Sequence, residues 1–360
     1  MKKMNRLFWA IACVFGIFFS SPVFSEEGKA PASCPKEKIA VATGISTGTY
    51  SKMFQSVANL PELSDIVCEY TQTSGGYDNV LLLMDRKVDA GIVQADVFDF
   101  LNKTNPDIRK NLRSLFAMHG SSMHIFVLKN GTECKTVTPG KIRMLDKTVT
   151  SIVKIENLRD LKGLKVAALS SAVVTGTEVS DLLKLNLDIV ETTKDGGFEK
   201  LKNGEVYAFL AMGGKPIDWI DKVDANIFTL ANVDSTDIQA LGSPFYNTKL
   251  QYKKFGAIGT NAITARNDFV VWDYKGKKSA LLSKIYDTVF ENLADVKEDM
   301  SSHPCWQEIT EENITDVFWQ KYEPPATNKS KREKVESEST SEQPSSEMVI
   351  TPAVKKHRGK

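Results

Sequence analysis

The chain alternates short apolar strands with helices, and this pattern occurs twice, which is the feature that most constrains its fold. In the first unit an apolar run at residues 39–43 ends at Gly44, and apolar side chains then recur at helical spacing from Tyr50 to Leu60. A strand, a helix and a further strand are predicted next, at 66–70, 79–86 and 90–94. Helices placed between short apolar strands indicate parallel pairing, with helices on both faces of the sheet.

A second unit of comparable size follows the first. Its predicted elements are a strand, a small-residue loop, the start of a helix and two further strands, at residues 166–169, 170–177, 178–185, 189–191 and 206–210. Two such units predict an α/β fold of two doubly wound lobes with a ligand cleft between them. An apolar helix over residues 281–296 is expected to pack on the first lobe as the chain returns to it.

The loop after the first strand of each unit carries the binding chemistry. Residues 43–50 contain four Ser or Thr hydroxyls and two glycines directly before a helix, and residues 170–177 repeat this arrangement. A third helix start follows residues 74–76. Glycine allows tight turns, and the first N–H groups of a helix have no partner within it, so such ends attract anions. Turn and capping chemistry explains one such loop, whereas two matched loops predict a cleft that closes on a small anionic molecule.

Composition and motifs argue against nucleic-acid binding and against catalysis. The 46 Lys and Arg residues balance 45 Asp and Glu residues, and no basic run lies in the body of the chain. The sequence contains no Gly-x-x-x-x-Gly-Lys-Ser/Thr and no His-Glu-x-x-His motif. We therefore expect a binding protein that is not an enzyme and that needs no cofactor and no metal.

Several polar side chains outside the loops have two interpretations each. Gln94 and Asp96 directly follow a predicted strand, so each is either a ligand contact or part of a turn or helix cap. His119 and His124 lie five residues apart on one extended run, which argues against a shared metal site. We expect both to be hydrogen-bonded structural residues, with a place for His119 at the cleft edge as the alternative. His303, in a polar stretch, is expected at the surface.

Both ends of the chain differ from its body. Residues 1–25 have a basic start, a short apolar run and a small-residue exit, which predicts a cleavable secretory signal peptide and a periplasmic location. Residues 326–360 are charged and contain little apolar sequence, so we expect a disordered tail. Without these two basic ends the body is mildly acidic, and attraction for an anion must then come from local helix ends and hydroxyls.

Four cysteines remain once such a leader is removed, namely Cys34, Cys68, Cys134 and Cys305. An even count in an exported chain is typical of one or two disulfides. Three pairings are open. The favoured one joins Cys34 with Cys68 and Cys134 with Cys305, because the first pair flanks two neighbouring predicted strands, and free buried thiols are the alternative.

Several motifs occur in order between residues 39 and 319. They are Ala-Thr-Gly-x-x-x-Gly-Thr-Tyr at 42–50, Thr-Ser-Gly-Gly-x-x-Asn at 73–79, Val-Asp-Ala-Gly-Ile-Val-Gln-Ala-Asp at 88–96, Ile-Glu-Asn-Leu-Arg-Asp-Leu-Lys-Gly-Leu-Lys-Val at 155–166, Thr-Gly-Thr-Glu at 175–178 and Met-Gly-Gly-Lys-Pro at 212–216. With these motifs in this order, the chain resembles the TAXI-type solute-binding proteins of TRAP transporters.

The resemblance implies a type II periplasmic binding protein of two lobes joined by two crossing segments. Such a receptor captures an organic acid, or an amino acid such as glutamate, and delivers it to TRAP permease membrane subunits driven by an ion gradient. The implied boundaries are 26–122 for the first part of lobe 1, 123–250 for lobe 2, and 251–325 for the return to lobe 1 with the C-terminal helices. Two other functions remain open, a periplasmic sensor domain that signals to a membrane partner and an enzyme on a related two-lobed fold.

The ligand-binding residues implied by the resemblance come from both lobes. They are Gly44, Thr47, Gly48, Thr49, Tyr50, Gly76, Asn79, Gln94, Thr175, Gly176, Thr177 and Gly213. The chain also departs from the family. The family usually has Ser where Gly76 stands, the loop at 170–175 is bulkier than the family's Gly- and Pro-rich form, and residues 242–246 match its Tyr-Pro-Gly segment only loosely.

Overall fold

The computed structural model describes residues 38–67, 70–138 and 147–323. The predicted signal peptide, the predicted charged tail, Cys34 and Cys68 lie outside these residues. No helix in the described ranges is both long and apolar enough to cross a membrane.

The strands are short at the edges of the fold and long at its centre. In chain order they are β1 (Val41–Ala42), β2 (Ala90–Gln94), β3 (Leu112–Leu128), β4 (Thr132–Thr138), β5 (Lys147–Val153), β6 (Lys165–Leu169), β7 (Asp188–Glu191), β8 (Ala208–Gly213), β9 (Phe228–Leu230), β10 (Phe245–Tyr252) and β11 (Ala257–Trp272). The helices are α1 (Thr49–Ala58), α2 (Gly76–Met84), α3 (Ala95–Thr104), α4 (Asp107–Asn111), α5 (Ser171–Leu183), α6 (Lys194–Lys202), α7 (Ser235–Leu241), α8 (Lys277–Glu291) and α9 (Leu293–Glu298).

Nine of the strands that the structure describes form one mixed sheet. Their order is β1-β2-β11-β3-β8-β6-β7, with β10 paired to β11 and β9 paired to β3. Strand β1 pairs with β2 in parallel, and β6 pairs in parallel with both β7 and β8. The two long strands β3 and β11 run antiparallel to each other and to their neighbours. Parallel pairing therefore holds within each predicted unit, and antiparallel strands join the two units.

Strands β3 and β11 carry the chain between two lobes. The first part of β3, up to Ser122, pairs with β11, and the part from Ser122 onward pairs with β8. Strand β11 likewise pairs with β10 up to Ala265 and with β2 from Asn267. At this crossing a β-carbon on Gly120 would come within 2.6 Å of the Thr264 Cγ2, so neighbouring side chains occupy the space that a larger residue would need.

Each lobe has its own apolar core. In the first lobe the ring of Phe269 stacks between those of Phe54 and Phe116, with centroid distances of 5.7 and 5.0 Å. Leu282 and Val289 of α8 pack into the same core, which confirms that the apolar helix returns to the first lobe, although it is divided into α8 and α9. The second lobe is built around packed aromatic rings, namely Phe126, Phe198, Phe209 and Trp219.

The second unit departs from the sequence prediction at its loop. Helix α5 begins at Ser171, so the predicted loop at 170–177 and the predicted helix start at 178 are wrong. The turn between β6 and α5 consists of Ser170 alone, which has a φ angle of 50°. Ala172 and Val179 are buried in the core of the second lobe. This packing stabilises a helix whose β-branched residues give it little intrinsic propensity.

The favoured pairing of Cys134 with Cys305 is also wrong, because both are free thiols in the structure. Cys134 lies on β4 in the separate two-stranded sheet β4–β5, whereas Cys305 is buried in the 3₁₀ turn Pro304–Glu308, in the core of the first lobe. Burial raises the pKa of the Cys305 thiol, which favours its protonated form.

Candidate functional site

The first-lobe loop between β1 and α1 is anchored from inside and open at its tip. The Ser51 hydroxyl donates to the Gly44 carbonyl at 2.9 Å and lies 3.0 Å from the Thr43 hydroxyl, so Gly44 is fixed and buried. Thr47 is exposed at the tip, and Gly48 is the N-cap of α1. The tip of this loop is therefore exposed, while its base is held by side-chain hydrogen bonds.

Gly76 and Asn79 hold the loops after β1 and before α2 in place through packing and hydrogen bonds. The Asn79 amide donates to the Thr43 carbonyl at 2.6 Å and to the Ile92 carbonyl at 2.8 Å, while its oxygen accepts from the Thr73 hydroxyl at 2.6 Å. A β-carbon on Gly76 would lie 3.3 Å from the backbone nitrogen of Gln94. Asn79 thus links the residue after β1 to the middle of β2, and both hydrogen bonds that its amide donates go to backbone carbonyls.

Gln94 and Thr175 meet across the two lobes with Asp96 between them. The Thr175 hydroxyl, on α5, donates to the Asp96 carboxylate at 2.6 Å, and the Gln94 amide donates to Asp96 at 2.9 Å. The Gln94 amide also lies 3.3 Å from the Thr175 hydroxyl. All three side chains are buried. Burial raises the pKa of Asp96 to about 6, although the hydrogen bonds from Thr175 and Gln94 oppose that rise.

The other two predicted residues of α5 point elsewhere. A β-carbon on Gly176 would lie 3.1 Å from a methyl group of Leu210 and 3.2 Å from one of Ile189, so this glycine lets α5 pack closely on the sheet. The Thr177 hydroxyl donates to the Val173 carbonyl one turn earlier, at 2.7 Å. Of the three residues predicted here, only Thr175 reaches the first lobe.

The turn after β8 makes the second contact between the lobes. Gly213 ends β8 beside Ser122, and the next residue, Gly214, donates its backbone N–H to the Thr49 hydroxyl at 3.2 Å. Asp218 follows on the same turn and accepts from Thr49 at 3.3 Å and from Lys52. Thr49 and Lys52 lie on α1, so the start of this helix is held directly by the second lobe.

His303 takes part in this contact, and its predicted surface position is wrong. The ring is buried, its Nδ1 accepts from the Cys305 N–H at 3.1 Å, and its Nε2 lies 3.4 Å from the Asp218 carboxylate. Burial raises the pKa of Asp218, but the bonds from His303 and Lys52 outweigh it and hold the pKa below its ordinary value. Neither Asp218 nor His303 belongs to a quoted motif, and their contact joins positions far apart in sequence, so both were missed.

Polar side chains from the crossing strands lie beneath Tyr50. The Tyr50 hydroxyl donates to the Asn267 oxygen at 2.6 Å, and burial raises the pKa of this phenol. The Asn267 amide donates in turn to the His119 carbonyl at 2.7 Å and to the Ser121 hydroxyl at 2.9 Å. Asn267 is also the register partner of Gln94 between β11 and β2. Tyr50 is therefore fixed over the crossing, next to the Gln94–Thr175 contact.

The two histidines of β3 differ from each other. His124 is hydrogen-bonded as predicted, with Nδ1 2.9 Å from the Ser122 carbonyl and Nε2 2.8 Å from the Tyr252 hydroxyl. His119 is buried, and neither ring nitrogen has a hydrogen-bond partner, which contradicts the prediction for this residue. In the described ranges no group of three or more His, Cys, Asp or Glu residues is arranged to hold a metal ion.

No family model matches the sequence, and no curated protein matches it either. In fold the chain is similar to the substrate-binding protein of an amino acid ABC transporter, with 13% identity, a TM-score of 0.43, and 73% of this chain and 96% of that chain covered. It is also similar to a periplasmic sulfonate-binding protein of a putative sulfonate ABC transporter from Methylobacillus flagellatus KT, with 16% identity, a TM-score of 0.44 and coverage of 80% and 81%.

A putative L-cystine ABC transporter protein from Listeria monocytogenes is similar as well, with 13% identity, a TM-score of 0.41 and coverage of 79% and 99%. These likenesses concern the fold alone. The architecture itself is established by the strand order and the separate apolar cores of the chain. The chain is a two-lobed α/β protein whose lobes meet through buried polar side chains.

Proposed function

We propose that the chain is a periplasmic solute-binding receptor that captures a small anionic ligand between its lobes. The observation that supports this most is the direct contact of Gln94 and Asp96 in one lobe with Thr175 in the other. The family resemblance implied that Gln94 and Thr175 belong to one ligand site, and they lie 81 residues apart in the chain. Buried polar groups that pair with each other across a hinge are suited to release each other and to form hydrogen bonds with a ligand instead.

Capture on this proposal is a change of hydrogen-bond partners. In the closed lobes the Thr175 hydroxyl donates to Asp96, and the Thr49 hydroxyl accepts from the Gly214 N–H and donates to Asp218. A ligand that enters must offer polar atoms in their place, because a buried group without a partner is costly. The ligand then shifts the equilibrium toward the closed state by the difference between its binding free energies for the closed and open states. The crossing strands β3 and β11 are continuous through both lobes and provide the hinge.

The anion is held by helix starts and hydroxyl groups in this account. The lysines at the lobe interface are already paired with carboxylates, Lys103 with Glu178 at 2.6 Å and Lys215 with Glu308 at 3.5 Å. Lys52 is likewise paired with Asp218. The N-termini of α1 and α5 carry backbone N–H groups with partial positive charge and lie on opposite sides of the interface. They suit one carboxylate of an organic acid, or of an amino acid such as glutamate.

The transport partner follows from the family resemblance. We propose that the receptor delivers its ligand to TRAP permease membrane subunits as a TAXI-type protein, after export and removal of residues 1–25. The proposed lobe boundaries are 26–122, 123–250 and 251–325. Uptake into vesicles that contain a two-part TRAP permease encoded beside this gene tests the partner, and uptake that is unchanged by adding the receptor contradicts it.

Thermal denaturation with a ligand library tests the binding function. The protein is first unfolded and refolded to remove any co-purified solute. A ligand at about 100 times its Kd stabilises the native state by about 2.7 kcal/mol, so at least one dicarboxylate or acidic amino acid is expected to raise Tm clearly. A library of these compounds that leaves Tm unchanged contradicts the proposal.

A further inference from the structure

His119 is the buried imidazole of the cleft that has no hydrogen-bond partner. It is 1% exposed, and neither Nδ1 nor Nε2 has a hydrogen-bond partner in the part of the chain that the structure describes. Its neighbour on the same strand, His124, uses both ring nitrogens. Buried polar side chains are normally satisfied, so an unsatisfied one requires an explanation.

The position of His119 places it at the lobe interface. It precedes Gly120, where β3 crosses between the lobes, and its ring meets the ring of Tyr50 edge-on with a centroid distance of 5.7 Å. Lys215 and Asp218 of the second lobe are close enough to influence its charge, as is His303 of the first. The ring therefore lies among groups from both lobes, next to a residue of the proposed ligand site.

The imidazole is neutral in this environment. Burial lowers the pKa of His119 to about 3, and the nearby His303 and Lys215 contribute to that fall. A neutral imidazole carries one N–H donor and one acceptor nitrogen. It therefore still offers one N–H for a hydrogen bond that no described residue accepts.

We propose that His119 contacts the bound solute and that its N–H donates to a carboxylate or carboxamide oxygen of that solute. This inference rests on the proposed receptor function and adds to it a residue that neither the loop motifs nor the family resemblance selected. The chain leaves the nitrogen unpaired because its partner arrives with the ligand. In the ligand-free protein the ring then reduces stability, and in the complex it adds affinity.

The test replaces the ring and measures stability and affinity separately. His119→Phe keeps an aromatic ring against Tyr50 but removes both nitrogens, while His119→Asn and His119→Gln each keep an amide donor near one of the two nitrogen positions. His124→Phe is the matched control, because it removes a satisfied buried histidine from the same strand. Each variant of the full chain is stripped of solute and titrated with L-glutamate, L-glutamine and glutarate, which separate carboxylate from carboxamide recognition.

The expected pattern is opposite for the two histidines. His119→Phe raises the ligand-free Tm and weakens binding roughly 10- to 100-fold, and one of the two amide variants restores part of the affinity. His124→Phe lowers Tm and leaves affinity unchanged. Binding by His119→Phe with wild-type affinity overturns this inference and leaves the receptor function intact. Failure of wild-type protein to bind any of the three compounds, or any other acid in the library, overturns both.

Discussion

A methyl group at position 214 is expected to hold the two lobes apart. Gly214 lies in the second lobe, and a β-carbon there would come 2.7 Å from the Thr49 Cγ2 and closer still to the Cys305 Sγ, both in the first lobe. These separations are well inside van der Waals contact, so the side chains or the lobes must move. Gly214→Ala therefore opposes closure without changing a residue of either apolar core.

The size of the effect follows from the cost of overpacking. One additional carbon in a well-packed site costs about 1–3 kcal/mol. If only the closed state holds the ligand, binding loses the same free energy and affinity falls roughly 5- to 150-fold, since 1.4 kcal/mol is a factor of ten. Titration calorimetry measures the affinity, and small-angle X-ray scattering measures whether saturating ligand still reduces the radius of gyration.

Two further variants distinguish blocked lobe closure from a general loss of stability. Combining Gly214→Ala with Cys305→Ala and Thr49→Ser removes the two atoms nearest to the new methyl group, and this combination is expected to recover compaction. In Gly197→Ala the new methyl group meets the Phe209 ring at 2.5 Å within the second lobe, so it is expected to lower Tm and still permit closure. Wild-type affinity and wild-type compaction in Gly214→Ala would refute the reasoning.

Two other substitutions test how buried polar side chains affect the stability of the fold. Asp268 is buried on β11 with one unpartnered oxygen, and burial raises its pKa to about 7, above the ordinary value of about 3.9. The stability that the protonated Asp268 contributes is therefore complete below pH 4 and is lost as pH rises through 7. At pH 8 the free energy of unfolding of Asp268→Asn, measured in urea, is expected to exceed that of wild type by at most about 4 kcal/mol. Equal stability at pH 8 contradicts this. Asn79→Ala removes three hydrogen bonds of a buried side chain and is expected to cost about 2–4 kcal/mol in the free energy of unfolding. A loss below 0.5 kcal/mol contradicts that role.

The sequence predicted the elements whose pattern is local. Strand β2 was predicted at its observed bounds, and the apolar spacing from Tyr50 to Leu60 gave α1. The start of α5 was wrong because the run of Ser, Val, Thr and Gly residues after Ser170 has low helix propensity. Tertiary packing overrode this, since Ala172 and Val179 are buried against the sheet of the second lobe.

The candidate site was predicted in outline only. The family resemblance brought together Thr49, Gln94 and Thr175, which the structure places at the interface. It did not identify Asp218 or His303, because their partners lie far away in sequence: Asp218 meets Lys52 across 166 residues. A polar residue in a polar stretch gives no local sign that the fold will bury it, as His303 is buried here.

Titration calorimetry of the solute-free protein is the most direct test of the central claim that the cleft captures a small anion. We expect one acidic amino acid or dicarboxylate to saturate the protein at one molecule per chain and to be recovered chemically unchanged. Heat of binding that is absent for every acid in the library, or recovery of an altered ligand, would contradict the account.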